Sequence, residues 1–302
     1  MRNVFSIDVE DYFHPTEVQA GIDIRRWKEL APRVHLGTRL LLDILAEHNV
    51  KATCFILGWV AEEHPSLVQE IAAAGHEIGV HSFAHQLVYD LTPLEFRRDT
   101  ERAVRAIQDA CGVTPRCYRA PSCSITERSF WALEILAEMG FTHDSSIYPI
   151  KHDRYGIPGF SRQAQTIDTP SGRIVEVPIA TVQLSKTRIV PVGSGGYLRL
   201  LPYRYTAAGL RRINEEDGQP ACLYIHPWEV DPEQPRLAQG FIARLRTYTG
   251  LGSVERKLRR LMSDFQFSTL TSVHPADTVP APAGRPQLSM SGKFPIPMAS
   301  SL

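Results

Sequence analysis

The first half of the chain alternates between short apolar runs and longer stretches in which apolar residues recur every three or four positions. The runs NVFSID and KATCFIL are typical of buried strands, whereas RLLLDILAEHNV has the periodicity of an amphipathic helix. The stretch GWVAEEHPSLVQEIAAAG predicts a second helix, which ends at Gly75. Strands and helices therefore alternate from the start of the chain.

The same alternation continues to Gly140. HEIGVH and PRCYRA predict two further strands, and each is followed by a helical stretch that ends at a glycine, Gly112 and Gly140. Four strand-helix units in succession predict an α/β fold with a parallel sheet or barrel.

The pattern changes between residues 150 and 203. The β-like pieces TIDTP and RIVEVPIATVQL precede the glycine-rich GSGGYLRLLPY, and together they predict an inserted lid region. A helix, the strand ACLYIH, two more helical stretches and the strand-like FQFSTLTSV then follow. We predict one domain over residues 1–273 and, because residues 274–302 are rich in Pro, Ser and Ala, a disordered tail.

The composition is that of an ordinary globular protein, with 43% hydrophobic and 22% charged residues. The net charge of +0 gives no electrostatic footprint for nucleic acid or for an anionic membrane surface. The five cysteines lack C-x-x-C spacing, so we expect neither a disulfide framework nor a zinc ribbon. Neither a signal peptide nor a transmembrane run of about 18 apolar residues is visible, which predicts a cytoplasmic protein.

Polar side chains follow most of the predicted strands. The first strand ends at Asp8, Glu10 and Asp11. The later strand ends carry His81 with His85, Arg119, His143 with Asp144, and His226. Because ligands gather at the carboxyl ends of parallel strands, these side chains are candidates for one shared site.

His81 and His85 are four positions apart in HSFAH, the separation that places two imidazoles on one face of a helical turn, where both could bind one divalent metal. A carboxylate from SIDVED would complete two histidines and one acid, a set typical of a catalytic metal with positions open for water. A structural explanation is also available: the histidines could end a strand and cap a helix, and the acids could occupy a turn or an N-cap.

Asp8 lies at the edge of a buried strand and needs a charged or hydrogen-bonding partner. Arg119, at the end of another strand, could hold Asp8 ionised as a general base, or it could form only a structural ion pair. His226 follows the last clear strand, where it is either a structural histidine or the group that protonates a leaving group.

Five motifs occur in order along the chain, SIDVED, HSFAH, RAPS, DSSIYP and LYIH. They resemble the successive motifs of the NodB-type polysaccharide deacetylases, carbohydrate esterase family 4, across residues 3–270. GSGGYLRLLPY and the part after LYIH, residues 227–273, are similar to the branch found beside exosortase/PEP-CTERM and exopolysaccharide loci, and to Helicobacter-type peptidoglycan deacetylases. The resemblance implies a distorted (β/α) barrel that removes N-acetyl groups from amino sugars.

The resemblance also implies a role for each matching residue. Asp8 would be the general base, Arg119 would orient it, and His226 would be the general acid. His81 and His85 would bind one divalent metal ion, usually zinc, which polarises the acetyl carbonyl and its bound water.

Two motifs depart from the family's commonest form. The first motif usually has two adjacent aspartates before a glycine. If the backbone here stays extended past Asp8, side chains alternate and Glu10 shares a face with Asp8, which favours Glu10 over Asp11 as the metal carboxylate. The fourth motif lacks the usual aspartate and tryptophan, and Asp144 is a candidate for tuning His226.

Three residues are candidates for substrate contact. Pro121, in RAPS, matches the part of that motif that lines the family's substrate groove. Tyr197 and Arg199 could line a sugar subsite with an aromatic face against the sugar ring. A flexible hairpin with a buried tyrosine explains that stretch equally well.

The sequence therefore predicts a metal-dependent deacetylase acting on an N-acetylated oligo- or polysaccharide, in an exopolysaccharide or its lipid-linked precursor. The alternatives are an amidase acting on a small cyclic amide and a non-catalytic sugar-binding pseudoenzyme. A glycosidase would explain the paired acids but not the histidines or Arg119. No nucleic acid partner is expected, and the sequence leaves the oligomeric state open.

Overall fold

The computed structural model describes residues 1–19, 22–152, 154–185 and 188–281. Its strands are β1 (Arg2–Val9), β2 (Thr53–Ile56), β3 (Glu77–Val80), β4 (Cys117–Tyr118), β5 (His143–Asp144), β6 (Gln165–Thr169), β7 (Gly172–Glu176), β8 (Thr181–Ser185), β9 (Arg188–Pro191), β10 (Cys222–Ile225) and β11 (Gln266–Ser268). Its α-helices are α1 (Thr16–Gln19), α2 (Val34–Glu47), α3 (Gly58–Glu63), α4 (Pro65–Ala73), α5 (Pro93–Cys111), α6 (Ala132–Glu138), α7 (Gly195–Leu200), α8 (Tyr203–Glu215), α9 (Phe241–Tyr248), α10 (Val254–Asp264) and α11 (Leu270–Val273).

A predominantly parallel sheet lies at the centre of the described chain. The hydrogen-bonded order is β10, β1, β2, β3, β4, β5, β7 and β6, with β11 also beside β1. Every pairing from β10 to β7 is parallel, and only β6 is antiparallel to its neighbour. The alternation of strands and helices thus gives the predicted α/β fold, and the carboxyl ends of the parallel strands lie at one edge.

The sheet is curled rather than flat. Arg119, next to β4, donates a hydrogen bond to Asp8 in β1 over 3.0 Å, although β4 is three places from β1 in the sheet. In a flat sheet those strands would be about 14 Å apart, at about 4.8 Å for each place. Beyond β7 the chain returns to β10, where the Ala180 N–H donates to the Cys222 carbonyl over 3.0 Å. Irregular segments thus connect the two sides of the sheet, and the prediction of a distorted (β/α) barrel is confirmed.

The helices begin and end at the residues that local chemistry favours. Thr92 caps α5 in a capping box with Glu95, and Gly112 ends α5 in the left-handed conformation, with φ of 73°. α2 packs so closely on the turn after β10 that a Cβ atom at Gly37 would lie 2.0 Å from the Pro227 carbonyl oxygen. A side chain at residue 37 would therefore displace the turn that follows His226.

The region between residues 150 and 203 has a different structure from the predicted lid. β6 and β7 form a hairpin that extends the main sheet, and β8 and β9 form a separate two-stranded ribbon. Most of the glycine-rich stretch is helical, because Ser194 caps α7 by accepting the Gly196 N–H. The glycines therefore begin a short helix rather than a hairpin.

The packed chain extends beyond the predicted domain end. The Thr166 N–H donates to the Pro280 carbonyl over 2.9 Å, and the Thr166 hydroxyl donates to the Val279 carbonyl over 2.8 Å. The first residues of the predicted tail thus contact β6, and the rest of it, residues 282–302, lies outside the described residues. Among the described helices, none is both long and apolar enough to cross a membrane.

Candidate active site

The carboxyl edge of the sheet brings together the polar side chains that the strand ends predict. Asp8 and Glu10 come from the end of β1, His81 from β3, Arg119 from β4 and His226 from β10. Asp8, Glu10, His81 and Arg119 are buried. Charged groups at such positions require partners within the protein or in a bound ligand.

Glu10, His81 and His85 form a group with metal-ligand chemistry. Each offers one donor atom, and the three atoms lie within 4.8 Å of one another. Glu10 Oε2 is 3.0 Å from His85 Nε2 and 4.0 Å from His81 Nε2. Burial lowers the pKa of His81 to about 4, so its imidazole is neutral near pH 7, as a metal ligand must be. This donor set fits a divalent ion such as zinc.

Two further contacts orient these ligands. His81 Nδ1 lies 2.9 Å from the Arg119 carbonyl oxygen, which leaves Nε2 directed at the group. Trp228 Nε1 donates to Glu10 Oε1 over 2.9 Å and fixes the carboxylate. Contacts of this kind behind the ligands are typical of protein metal sites.

The HSFAH turn is not helical, contrary to the prediction. Ser82 and His85 adopt positive φ angles of 60° and 53°, a conformation that non-glycine residues adopt rarely. Side chains stabilise the turn: Ser82 Oγ accepts the His85 N–H over 3.0 Å, and the Asp99 carboxylate accepts two backbone N–H groups within the motif. The two histidines therefore reach one point through a strained turn, a feature common at functional sites.

Asp11 has a structural role in this arrangement. Asp11 Oδ2 accepts the Arg33 and Val34 N–H groups over 2.7 and 2.9 Å, at the start of α2. Asp11 Oδ1 accepts the Tyr12 N–H over 2.8 Å. Of the two carboxylates considered for the metal, Glu10 is therefore the one that the fold places with the histidines.

Arg119 holds Asp8 in one orientation. Its Nη1 donates to Asp8 Oδ1 over 3.0 Å and to Ser6 Oγ over 2.7 Å. Its other two nitrogens donate to the carbonyl and the hydroxyl of Ser145, over 2.9 and 2.8 Å. Charge-assisted hydrogen bonds of this kind are strong when both partners are buried, so the Asp8 carboxylate is fixed with Oδ2 left for other contacts.

His226 faces Asp8 and Glu10 from the end of β10. His226 Nε2 lies 3.9 Å from Asp8 Oδ2 and 3.7 Å from Glu10 Oε1, and the ring stacks on Trp228. Burial by itself would lower the pKa of His226, but the carboxylates of Glu10 and Glu229 outweigh it and raise the pKa to about 9. The imidazolium is thus favoured near pH 7, where it can donate a proton.

The carboxylate that pairs with His226 is Glu229, which the sequence reasoning missed. Glu229 Oε2 lies 3.0 Å from His226 Nδ1, and Arg199 Nε donates to Glu229 Oε1 over 3.2 Å. The i, i+3 spacing of His226 and Glu229 in HPWE is that of a capping box, and this signal could have identified the pair.

The suggested contact between Asp144 and His226 is not formed. Asp144 instead lies opposite Glu176 in the register of β5 and β7. It also accepts the Ser146 hydroxyl over 2.6 Å. Burial and the adjacent Asp144 raise the pKa of Glu176 well above its ordinary value, which favours its protonated form.

The three candidate substrate residues have different positions. Tyr197 lines the cavity above the site. Pro121 is buried, and the two residues that follow it, Ser122 and Cys123, line the cavity. Arg199 reaches the cavity, but its nitrogens donate to Glu229 and to the carbonyls of residues 246 and 249. Each of its nitrogens thus has an acceptor within the protein, and the sugar contact of Arg199 stays a prediction.

The cavity has a volume of about 350 Å³. Its floor includes Asp8, Glu10, His85 and His226, and aromatic rings, Tyr155 and Tyr197 among them, contribute to its walls. Its size and its mixture of ring faces and charged groups suit a small polar molecule with an apolar face, such as a sugar ring.

Two family profiles match the chain. One, described as Polysaccharide deacetylase, matches residues 33–143. This match covers the segment that carries β2, β3 and β4. The other profile is described as Domain of unknown function (DUF3473) and matches residues 145–274.

Curated proteins that are similar in sequence to this chain include several named as deacetylases. A Bacillus cereus protein named peptidoglycan-N-acetylglucosamine deacetylase is 37% identical over 98 residues, which are 32% of this chain and 36% of that protein. The chain spans between 22% and 42% of the length of the first three curated relatives that it matches.

Solved structures share the fold of this chain. A Mycobacterium smegmatis protein described as a candidate polysaccharide deacetylase matches with a TM-score of 0.62 at 21% identity, covering 95% of this chain and 94% of that one. The structure titled Puue Allantoinase matches with a TM-score of 0.58 at 13% identity, covering 90% and 88%. At these identities the likeness extends to the fold alone.

Both profile matches contribute to the site. The polysaccharide deacetylase segment supplies His81, His85 and Arg119, whereas His226 and Glu229 lie in the second matched segment. Asp8 and Glu10 precede both segments. The site is therefore assembled from parts of the chain that no single profile covers.

Proposed function

We propose that this protein is a metal-dependent hydrolase that removes N-acetyl groups from the amino sugars of a polysaccharide or of its lipid-linked precursor. One observation carries the proposal. The donor set of Glu10, His81 and His85 lies in the same site as Asp8, which Arg119 holds, and His226, which Glu229 holds. Acetyl transfer to water requires a base, an acid and a means of polarising the carbonyl, and this edge of the sheet supplies candidates for all three.

Zinc is the ion that we expect at Glu10, His81 and His85, because two imidazoles and a carboxylate suit it. When bound there, the ion would polarise the acetyl carbonyl and lower the pKa of a coordinated water.

The protein's own groups would move the protons. Asp8 Oδ2 would accept a proton from the attacking water, while Arg119 keeps the carboxylate in place through Oδ1. As the bond between the carbonyl carbon and nitrogen breaks, His226 would give its Nε2 proton to the departing amine. Glu229 would hold His226 through Nδ1 and favour its protonated form.

The aromatic walls of the cavity support an amino sugar as the substrate. The names of curated relatives, such as the peptidoglycan-N-acetylglucosamine deacetylase, support the same class. The resemblance of residues 227–273 to the exosortase-associated branch supports exopolysaccharide as the polymer. The predicted cytoplasmic location stays a prediction.

Acetate release from N-acetylglucosamine oligomers tests the proposal. Purified protein supplied with zinc should release acetate, and Asp8→Asn should lower the rate at least ~100-fold because it removes the base. Asp43→Asn, an exposed change on α2, is the matched control and should keep the wild-type rate. Acetate release that Asp8→Asn leaves unchanged, or turnover of a cyclic ureide but of no sugar oligomer, would contradict the proposal.

A further inference from the structure

Helix α9 presents an apolar surface to solvent. Phe241 is 80% exposed, Ile242 64% and Leu245 49%. Other exposed large apolar residues of the described chain are scattered over several elements, whereas these three lie on one helix of eight residues. Isolated exposed apolar residues need no explanation, but a cluster of this kind marks an interaction site.

The three side chains can act together. Phe241 and Leu245 are one helical turn apart, and Ile242 is next to Phe241. At the C-terminal end of the helix Thr247 and Tyr248 are buried, and the Tyr248 hydroxyl accepts the Ala238 N–H over 2.8 Å. The helix is therefore anchored at its C-terminal end, while Phe241, Ile242 and Leu245 are exposed. We call Phe241, Ile242 and Leu245 the α9 patch.

The chain around the α9 patch is basic, although the net charge of the protein is zero. Residues 234–254 contain Arg236, Arg244 and Arg246 and no Asp or Glu. All three arginines are exposed. Apolar side chains flanked by exposed arginines are the arrangement expected of a helix that lies in the interface of an anionic bilayer.

The α9 patch is close to the mouth of the cavity. Arg246 and Thr247 of the same helix line the cavity, as does Leu200 at the end of α7. Leu200 is itself exposed. A surface that docks through α9 would therefore lie beside the opening of the site.

We propose that α9 docks the protein on an anionic phospholipid surface, with the α9 patch in the interface and the arginines against the lipid headgroups. A second copy of the chain fits less well, because a two-fold contact through α9 would bring two sets of three arginines together. The proposal does not depend on the proposed activity, since lipid binding requires no substrate or turnover.

Vesicle co-sedimentation of the full chain tests the proposal. The protein should pellet with vesicles of mixed phosphatidylcholine and phosphatidylglycerol, much less with phosphatidylcholine alone, and less as salt is raised. The double variant Phe241→Ser with Ile242→Ser should lose binding by at least about tenfold, because two apolar side chains no longer enter the interface. Arg244→Glu should weaken binding to anionic vesicles only.

The matched control is Leu36→Ser with Leu94→Ser, which removes two exposed leucines from α2 and α5. It should bind like the wild type, and all variants should keep the wild-type unfolding temperature because the changed side chains are exposed. Equal binding by the α9 double variant and the wild type would overturn the proposal. A second result would also overturn the proposal: a wild-type protein that is a dimer and does not bind vesicles, and an α9 double variant that is a monomer. The α9 patch would then be a self-association surface.

Discussion

Two buried pairs of arginine and carboxylate, Arg119 with Asp8 and Arg199 with Glu229, hold the two sides of the candidate site. The first pair joins β1 to β4, which are three places apart in one sheet, and Arg119 contacts Asp8 directly. The second joins α7 to the turn after β10, and Arg199 acts on His226 through Glu229. An ion pair between arginine and a carboxylate thus orients both the base and the acid. The base-side pair lies on strands, whereas the acid-side pair lies on a helix and a turn.

The two sides of the site differ in how they are held, and we expect them to differ in sensitivity to substitution. A strand end is fixed by the hydrogen bonds of its sheet, so the loss of Arg119 would leave Asp8 in place but unpaired. The turn that carries Glu229 depends on packing by other elements, such as the close contact of α2 at Gly37. We therefore expect substitutions on the base side to reduce stability and activity strongly, and substitutions on the acid side to reduce activity by smaller amounts.

Arg119→Met should have the largest effect. It leaves the buried Asp8 carboxylate without its cation, so the free energy of unfolding should fall by about 3–5 kcal/mol. Acetate release should fall at least ~100-fold because the Asp8 carboxylate loses the hydrogen bond that orients it. Denaturant unfolding and the acetate assay measure the two effects. The control is Arg116→Met, an exposed arginine three positions earlier, which should change neither.

Glu229→Gln should have an intermediate effect. Glu229 raises the pKa of His226, so its removal should lower that pKa. A general acid is lost as pH rises through its pKa, and the alkaline fall in activity should therefore begin at lower pH in the variant. The rate near pH 7 should fall about 10- to 100-fold. The pH dependence of acetate release, compared with the exposed-residue variant Glu233→Gln, tests this; an unchanged alkaline limb would contradict it.

Tyr197→Ala should affect binding more than chemistry. The ring lines the cavity wall but is absent from both arginine pairs. Loss of one aromatic contact should raise KM up to about tenfold with little change in kcat. Tyr203→Ala, in α8 and hydrogen-bonded to Asp264, is the control outside the cavity. A fall in kcat alone would show that the wall contributes to chemistry.

Glu176→Gln should have the smallest effect. The raised pKa of Glu176 means that the folded protein holds a proton that the unfolded chain releases, so wild-type stability should decline as pH rises above about 4.3. The amide variant carries no such proton and should flatten this decline, with a change near pH 5 below about 1 kcal/mol. Urea unfolding across pH measures it. Glu127→Gln, an exposed change, should leave the wild-type slope, and a slope unaltered by Glu176→Gln would argue against a protonated Glu176 in the folded protein.

The base side could be predicted from sequence because its residues end apolar runs. Asp8 and Arg119 each end a recognisable strand, as His226 does on the acid side, and parallel strands bring such ends to one edge. The alternation of side chains along an extended backbone past Asp8 also favours Glu10 over Asp11 as the metal carboxylate. The helical turn expected for HSFAH did not form, because hydrogen bonds from Ser82 and Asp99 stabilise a strained turn that no periodicity reveals.

The acid side was harder to predict because Arg199 and Glu229 lie in a helix and a turn rather than at the ends of predicted strands. Arg199 lies 30 positions before Glu229, and only the fold shows that its nitrogens are directed inwards. Asp144 was considered as the partner of His226, whereas Glu229 at i, i+3 is the residue in contact. The net charge of zero also gave no indication of the basic segment around the α9 patch, because acidic residues elsewhere in the chain balance its arginines.

The metal content of purified protein tests the central claim most directly. Wild-type protein should hold about one zinc ion per chain after zinc is added and the excess removed, as measured by elemental analysis. Glu10→Gln and His81→Ala should lose it, whereas Asp11→Asn and the control His48→Ala should retain it. A metal that Asp11→Asn removes and Glu10→Gln leaves in place would contradict the account.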